Sequence, residues 1–314
     1  MMLSFVLEVG NTENREQMNA VRKAQKYINE NLKEKISLYD IAKITGYSPW
    51  HISKIFKKHT GTALFDYIRA LRLSSAALVL RDEKACVLDV ALDFVFDTHE
   101  GFSRAFSKQF GISPKKYSKT TPPIKLFMPY LVQEYPKRER EGEKKMSEKK
   151  EPNTVFVQVI EKPTRKLILK RGVKAKDYYE YCDEVSCDVW GLLSSIKDAL
   201  YEPMGLWMPK NLIKPGTSVY AQGVEVPKDF NGDIPEGFDI IDLAPCKMMV
   251  FQGQPFDDED FEEAISEIWE VIDKYDPSLY GFAWADEKAP RFQLEPQGYR
   301  GYIEGKPVRI ANTK

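Results

Sequence analysis

Two short runs of this sequence hold side chains suited to gripping a polyanion and reading base edges. One contains Trp50, His51, Ser53, Lys54 and Lys57; the other contains Thr98, His99, Glu100, Ser103, Arg104 and Lys108. Lys and Arg bind phosphate oxygens or the acceptor edge of guanine, and an aromatic ring or a threonine packs on the thymine methyl. On an ordinary helix the same residues would be no more than a solvated polar face. Their meaning rests on the elements that present them.

Those elements occur twice. Leu38-x2-Ile41-Ala42-x3-Gly46-Tyr47-Ser48-x3-Ile52-Ser53-x2-Phe56-Lys57-Lys58-x2-Gly61 is echoed by Leu88-x-Val90-Ala91-x3-Val95-Phe96-x5-Phe102-Ser103-x2-Phe106-x-Lys108-x2-Gly111. Each copy is an apolar-periodic stretch, a tight break, and a second amphipathic stretch ending in Phe and basic residues. That is the plan of a helix-turn-helix, whose second helix enters the major groove. Ala42 lies 14 residues before Phe56 and Ala91 lies 15 before Phe106, so the second turn is one residue longer. Units about 50 residues apart place two reading helices roughly one turn of DNA apart on the same face of the duplex.

The runs GYSPWHISKIFKKHTG, YIRALRLSSAALVL and FDTHEGFSRAFSKQFGISPKKY resemble the DNA-binding domain of the AraC/XylS family of transcription regulators, over roughly residues 15 to 120. The resemblance implies that Trp50, His51, Ser53, Lys54, Lys57 and Arg72 contact DNA from the first unit and its linker helix. It implies the same for Thr98, His99, Glu100, Ser103, Arg104 and Lys108 in the second. His99 and Glu100 stand where related sequences often carry amides, which suggests a changed base preference there. The family's turn glycine is Gly46 in the first unit but Val95 in the second. A β-branched residue at positive φ is strained by about 1–3 kcal/mol, so the second turn is expected to be distorted rather than absent.

The formal charge of −1 hides a division. Residues 14–125 hold 20 Lys/Arg against 11 Asp/Glu, whereas residues 152–314 hold 19 against 28. A basic half suits a polyanion and an acidic half repels one. Four cysteines (Cys86, Cys182, Cys187, Cys246) without C-x2-C spacing read as buried thiols in a reducing cytoplasm. No apolar stretch approaches 18 residues and no cleavable signal precedes the first helix, so a cytoplasmic location without membrane contact is expected.

An amphipathic helix is expected from Arg15 to Leu32 and a longer one over 62–81, giving about seven helices before Pro122-Pro123 breaks the pattern. Residues 133–153, QEYPKREREGEKKMSEKKEPN, are nearly devoid of apolar side chains and read as a solvated tether. The domains then read as an N-terminal extension (1–14), a tandem helix-turn-helix domain (15–125), a charged linker (126–153) and a C-terminal domain (154–314).

Beyond the linker the period changes to that of strands, in TVFVQVIE, KLILKR, SVYAQGVEV, KMMVFQG and YGFAWA. Helical segments are expected over Lys176–Leu200 and Asp258–Tyr275. VIEKPTRKLILKRG followed by a helix with Trp190 parallels IIDLAPCKMMVFQG followed by a helix with Trp269. The expected fold is therefore multidomain: an all-α tandem helix-turn-helix domain, then an α+β domain of two pseudo-symmetric strand-strand-helix-strand-strand units. A groove along their junction is a favoured place for a small molecule.

This half is similar to the GyrI-like effector-binding domain over about residues 154–311. In that family a buried acidic residue on a late strand faces an aromatic-lined cleft and attracts cationic, lipophilic ligands. By position the candidates are Glu304, which strand alternation puts on one face with Tyr302, and in reserve Glu295. Trp190, Tyr220, Trp284 and Phe292 complete the candidate site, since an aromatic cage with one carboxylate is a sound receptor for an organic cation. Trp190 and Trp269, on helices, serve equally well as core.

A fused hydrolase using cleft carboxylates is the alternative. All three histidines (His51, His59, His99) lie in the basic half, which leaves the acidic half without the usual general base or metal ligand. No catalytic residue, metal or cofactor is expected. The partners expected are double-stranded DNA, a small-molecule effector and RNA polymerase.

Overall fold

The computed structural model describes residues 2–128, 154–186, 188–257 and 260–311, with side chains from residue 13 onward. They form two compact units, the first holding the described residues through Thr121 and residues 126–128, and the second holding Pro122–Lys125 and the residues from 154 onward. Most of the expected linker, together with Cys187, lies outside the described residues. Cys86, Cys182 and Cys246 form no disulfide among the described residues, and none is buried as expected: Cys86 is exposed and the other two are half-buried.

Seven helices build the first unit: α1 (Met2–Glu30), α2 (Leu38–Thr45), α3 (Pro49–Thr60), α4 (Leu64–Asp82), α5 (Val87–Asp93), α6 (His99–Phe110) and α7 (Pro114–Thr120). α1 corrects the expected boundary, because the helix continues back through the stretch read as a separate extension at 1–14. Local chemistry sets the other starts. Ser37 and Asp40 form a reciprocal capping box at α2, and Ser48 followed by Pro49 opens α3. Val21, Ala24 and Ile28 of α1 pack with Ile41, Ile52, Phe56 and Tyr67 in the first core. The long α4 touches α3 on one side and α5, α6 and α7 on the other, so it spans the two helix-turn-helix units.

The two turns close differently. Gly46 ends α2 in the left-handed region (φ 75°) and donates its N–H to Ala42 O at 3.0 Å. In the second unit Val95 takes that conformation at φ 62°. Its N–H reaches Leu92 O and that of Phe96 reaches Ala91 O, both at 2.9 Å. This is the Schellman pattern with a β-branched residue at the left-handed position. The turn is therefore kept, and the strain sits in one residue.

Val95→Gly should raise the free energy of unfolding by about 1 kcal/mol, because glycine adopts this conformation without a Cβ penalty. Gly46→Val, with open space around the added side chain, should lower it by about 1–3 kcal/mol. Urea unfolding of both variants checks the pair; a less stable Val95→Gly would mean that the half-buried isopropyl group outweighs the strain.

The second unit is a nine-stranded antiparallel sheet with helices on one face. In chain order it runs β1 (Phe156–Lys162), β2 (Arg165–Arg171), α8 (Tyr178–Glu184), α9 (Val189–Ser194), β3 (Met204–Trp207), β4 (Tyr220–Pro227), β5 (Asp239–Leu243), β6 (Cys246–Gln252), α10 (Phe261–Lys274), β7 (Phe282–Trp284), β8 (Arg291–Gln293) and β9 (Ile303–Ile310). The helix expected over Lys176–Leu200 is two short ones; Ser186 between them adopts φ 114°, which no helix continues through.

In space the strands run β1-β6-β9-β8-β3-β4-β2-β5, with β7 paired to β9. Strand alternation divides the side chains cleanly. Ile168, Val224 and Val226 meet Tyr181 and Leu193 of α8 and α9, while Met249, Phe251 and Val308 meet Ile268 and Ile272 of α10. Leu167, Leu169, Leu206, Met248, Val250 and Phe292 fill the opposite face.

Candidate nucleic-acid interface and a buried carboxylate

α3 and α6 are built alike. Ser48 Oγ accepts from His51 N–H at 3.3 Å, and Thr98 Oγ1 accepts from Gly101 N–H at 3.0 Å. Ile52, Ile55 and Phe56 anchor α3 inward, and Phe102 and Phe106 anchor α6. A chain of ring contacts, Phe96 to Phe102 at 5.1 Å and Phe106 to Tyr117 at 5.7 Å, fixes the second helix in rotation.

Helical spacing then leaves the remaining residues outward. Trp50, His51, Lys54, Lys57, Thr98, His99, Glu100, Arg104 and Lys108 are exposed, and Ser53 and Ser103 are half-buried. The Lys54 ammonium lies 3.8 Å from the centroid of the Trp50 ring. Among the described residues no carboxylate pairs with Lys54, Lys57, Arg104 or Lys108. Arg72 is half-buried: its Nε donates to Leu32 O at 2.9 Å and an Nη to Glu34 O, which clamps the chain after α1.

In the second unit a polar row crosses the middle of the sheet. Gln222 of β4 opposes Gly205 of β3, Gly205 opposes Gln293 of β8, and Gln293 opposes Glu304 of β9. Directly opposed residues share a face, so Gln222, Gln293 and Glu304 all stand on the helix side. Two residues along, Tyr220, Trp207 and Arg291 form a second row.

Glu304 is fully buried. Its Oε2 accepts from Trp269 Nε1 at 2.9 Å and from Tyr302 OH at 3.0 Å, and its Oε1 from Arg291 Nε. Tyr302 OH also lies 3.2 Å from Gln293 Oε1. Burial pushes the Tyr220 and Tyr302 hydroxyls well above the usual phenol range, and the neighbouring Glu304 charge adds to the shift, so both remain protonated. Three polar atoms of the rows, Tyr220 OH and both amide atoms of Gln222, are buried with no hydrogen-bond partner.

The structure gathers Tyr220, Tyr302 and Glu304 of the expected ligand residues in this region. Glu295 is exposed beyond β8; its carboxylate accepts from Gln297 Nε2 at 3.3 Å and its backbone carbonyl from an Arg300 Nη at 2.9 Å. Phe292 points to the opposite face, because it alternates with Arg291 and Gln293. Trp284 opposes Val308, four residues along β9 from Glu304, which is about 13 Å. Trp190 is buried in α9 with no bond or ring contact to the Glu304 group. Arg291 and Gly205 were not expected in the site. Their signal was the register of two very short strands.

A family model described as a helix-turn-helix domain matches residues 41–120. The chain is 37% identical over 119 residues to the transcriptional regulator Rob of Salmonella typhimurium, covering 35% of this chain and 41% of that protein. It is 39% identical over 105 residues to the right origin-binding protein of Escherichia coli K12, covering 33% of this chain and 36% of the relative. Over 114 residues it is 36% identical to the probable transcription factor PqrA of Proteus vulgaris, covering 35% of this chain and 93% of that protein. The chain thus matches about two-fifths of the length of Rob and nearly all of PqrA. It belongs to the AraC family of helix-turn-helix proteins. Among the described residues no helix is long and apolar enough to cross a membrane.

A Cβ added at Gly205 would collide with the Tyr220 hydroxyl and lie 2.9 Å from Gln293 Cγ. Gly205→Ala should therefore destabilise the protein by about 1–3 kcal/mol. Tyr220→Phe, which deletes a buried hydroxyl without a partner, should leave stability unchanged or raise it by about 1 kcal/mol, and should soften the Gly205→Ala loss. Chemical denaturation of the two single variants and the double checks this; a large loss in Tyr220→Phe would reveal a partner for that hydroxyl.

Proposed function

We propose that this chain is a DNA-binding transcription regulator whose second unit senses a small molecule. For DNA, the observation that carries the reading is the set of exposed cations without acidic partners on α3 and α6, within a segment of 20 Lys/Arg against 11 Asp/Glu. Lys and Arg of the two helices neutralise phosphates, and Trp50, His51, Ser53, Thr98, His99, Glu100, Ser103 and Arg104 supply base readout and positioning. Arg72 supports the domain from within. The probable-transcription-factor description of the relative that aligns over 93% of its length favours the same role.

Arg104→Ala should weaken duplex binding by about 1–3 kcal/mol without unfolding the protein, since Arg104 is exposed between buried Phe102 and Phe106. Affinity should also fall steeply as salt rises, because bound counterions are released from phosphate. Gel-shift titrations over a salt series measure both effects. An affinity indifferent to the substitution would show that α6 does not engage DNA.

For ligand sensing, the strand order supports two related halves. Pairing β1 with β5, β6 with β2, β9 with β4 and β8 with β3 maps the order onto itself about the β8–β3 contact. The Glu304 row crosses that contact. A buried polar group without a partner costs about 1–3 kcal/mol, and Gln222 and Tyr220 present three such atoms on the face of the sheet that also holds the buried carboxylate. A ligand with its own donors and acceptors would satisfy them, as expected of a GyrI-like effector domain that takes lipophilic cations. Its binding regulates if it favours one of two states, which DNA or RNA polymerase then distinguishes. A hydrolytic reading finds no support: Glu304 sits beneath three donors and Glu295 is exposed, so they are no acid/base pair.

Calorimetry of the full chain against a panel of lipophilic cations tests this. Glu304→Gln should weaken binding at least about tenfold, or 1.4 kcal/mol. Binding of anions alone, or cation binding indifferent to Glu304→Gln, would remove the carboxylate from the mechanism.

A further inference from the structure

Arg291 stands where the positive charge of a ligand would stand. Its Nε donates to Glu304 Oε1, and its guanidinium carbon lies 4.9 Å from the centroid of the Trp207 ring. A cation held between an aromatic face and a carboxylate is the arrangement by which proteins recognise guanidinium and ammonium ligands. The Arg291 side chain is 29% exposed while the carboxylate beneath it is 0% exposed. The arginine therefore closes the solvent side of the site, and the glutamate forms its floor.

A second arginine on the opposite face shows what a purely structural one looks like here. Arg165 is 2% exposed and donates Nε to Glu225 Oε1 at 2.7 Å. Its Nη1 reaches Pro163 O and Ala244 O, and its Nη2 reaches Cys246 Sγ at 3.5 Å. Every nitrogen is used. Arg291 uses only Nε; neither Nη has a hydrogen-bond partner among the described residues. It lacks the two-pronged grip of a strong arginine–carboxylate pair.

We propose that Arg291 is a tethered ligand of Glu304: its guanidinium fills the cation position, and an organic cation reaches the carboxylate by displacing it. The proposal rests on reading the second unit as a ligand sensor and adds the residue that sets its selectivity. Only the fraction of molecules with Arg291 withdrawn binds, so apparent affinity is lowered by that fraction. Arg291 seated and Arg291 displaced are also two discrete arrangements that a ligand distinguishes.

The test uses the full chain as wild type, Arg291→Ala and Arg291→Ala/Glu304→Gln, with methylguanidinium as a free stand-in for the lost side chain. Millimolar methylguanidinium should raise the melting temperature of Arg291→Ala and leave the other two unmoved. A lipophilic cation that binds the wild type should bind Arg291→Ala about tenfold tighter or more. If Arg291→Ala does not fold, Arg291→Gln, which keeps a donor near Oε1, takes its place in both comparisons. Equal methylguanidinium shifts in all three proteins, or equal cation affinity with and without Arg291, overturns the proposal. Rescue by methylguanidinium with no lipophilic cation bound by either protein would uphold the tether and sink the sensor reading. Cation binding through Glu304 without rescue would do the reverse.

Discussion

Burying a carboxylate constrains the second unit more than any apolar contact does. A desolvated ion costs several kcal/mol unless charges and donors around it restore what water supplied. Glu304 draws its donors from α10 (Trp269), from the residues entering β9 (Tyr302) and from β8 (Arg291). One side chain thereby fixes the seating of a helix and the pairing of two strands. The opposite face repeats the arrangement with Glu225, which takes Lys162 Nζ and Arg165 Nε, each at 2.7 Å, and ties β1 and β2 to β4. Each face of the sheet has its own buried ion group, on strands that correspond in the two proposed halves.

The row that contains Glu304 also needs a gap. Gly205 sits between Gln222 and Gln293, and the Tyr220 hydroxyl occupies the space a side chain there would take. Polar groups that would otherwise be separated by a β-carbon lie over the centre of the sheet. The concession is incomplete hydrogen bonding at Gln222 and Tyr220. Folding alone gains nothing from such atoms, and replacing them with apolar groups of the same shape would stabilise the fold.

The first unit was largely legible because its signals are local. Caps such as Ser37 with Asp40 and Ser48 with Pro49 act within one turn of helix, and the inward anchors Phe56, Phe102 and Phe106 follow the helical period. Even Val95 announced its turn by replacing a glycine. The carbonyls that Arg72 holds escaped notice, since they lie some 40 residues earlier in the chain. In the second unit the long strands β2 and β6 show in their composition. β3 and β8 have only four and three residues, too few for alternation to stand out. They nevertheless carry Gly205, Trp207, Arg291 and Gln293. A site assembled from register across four strands leaves little trace in any one of them, and a shift of one residue explains why Phe292 faces away. Glu304 was legible because Tyr302, two residues before it, supplies its near partner.

The two units handle charge in opposite ways, and the difference bears on what each recognises. Lys54, Lys57, Arg104 and Lys108 are exposed and, among the described residues, have no carboxylate partner. Exchanging water for phosphate costs them little, and their attraction is long-ranged and screened by salt. That serves a partner whose charge repeats along a rod, where affinity is summed over many weak contacts. Glu304 is already stripped of water, with donors fixed by the fold. An entering group meets a prearranged field at short range, so geometry rather than net charge decides what is accepted. The excess of acidic residues in this segment is therefore a poor guide to what such a group could be. On the proposed reading, a neutral molecule that fits the Gln222 and Tyr220 atoms would have a claim on this region, and a cation would have one only so far as it outcompetes the guanidinium already seated there.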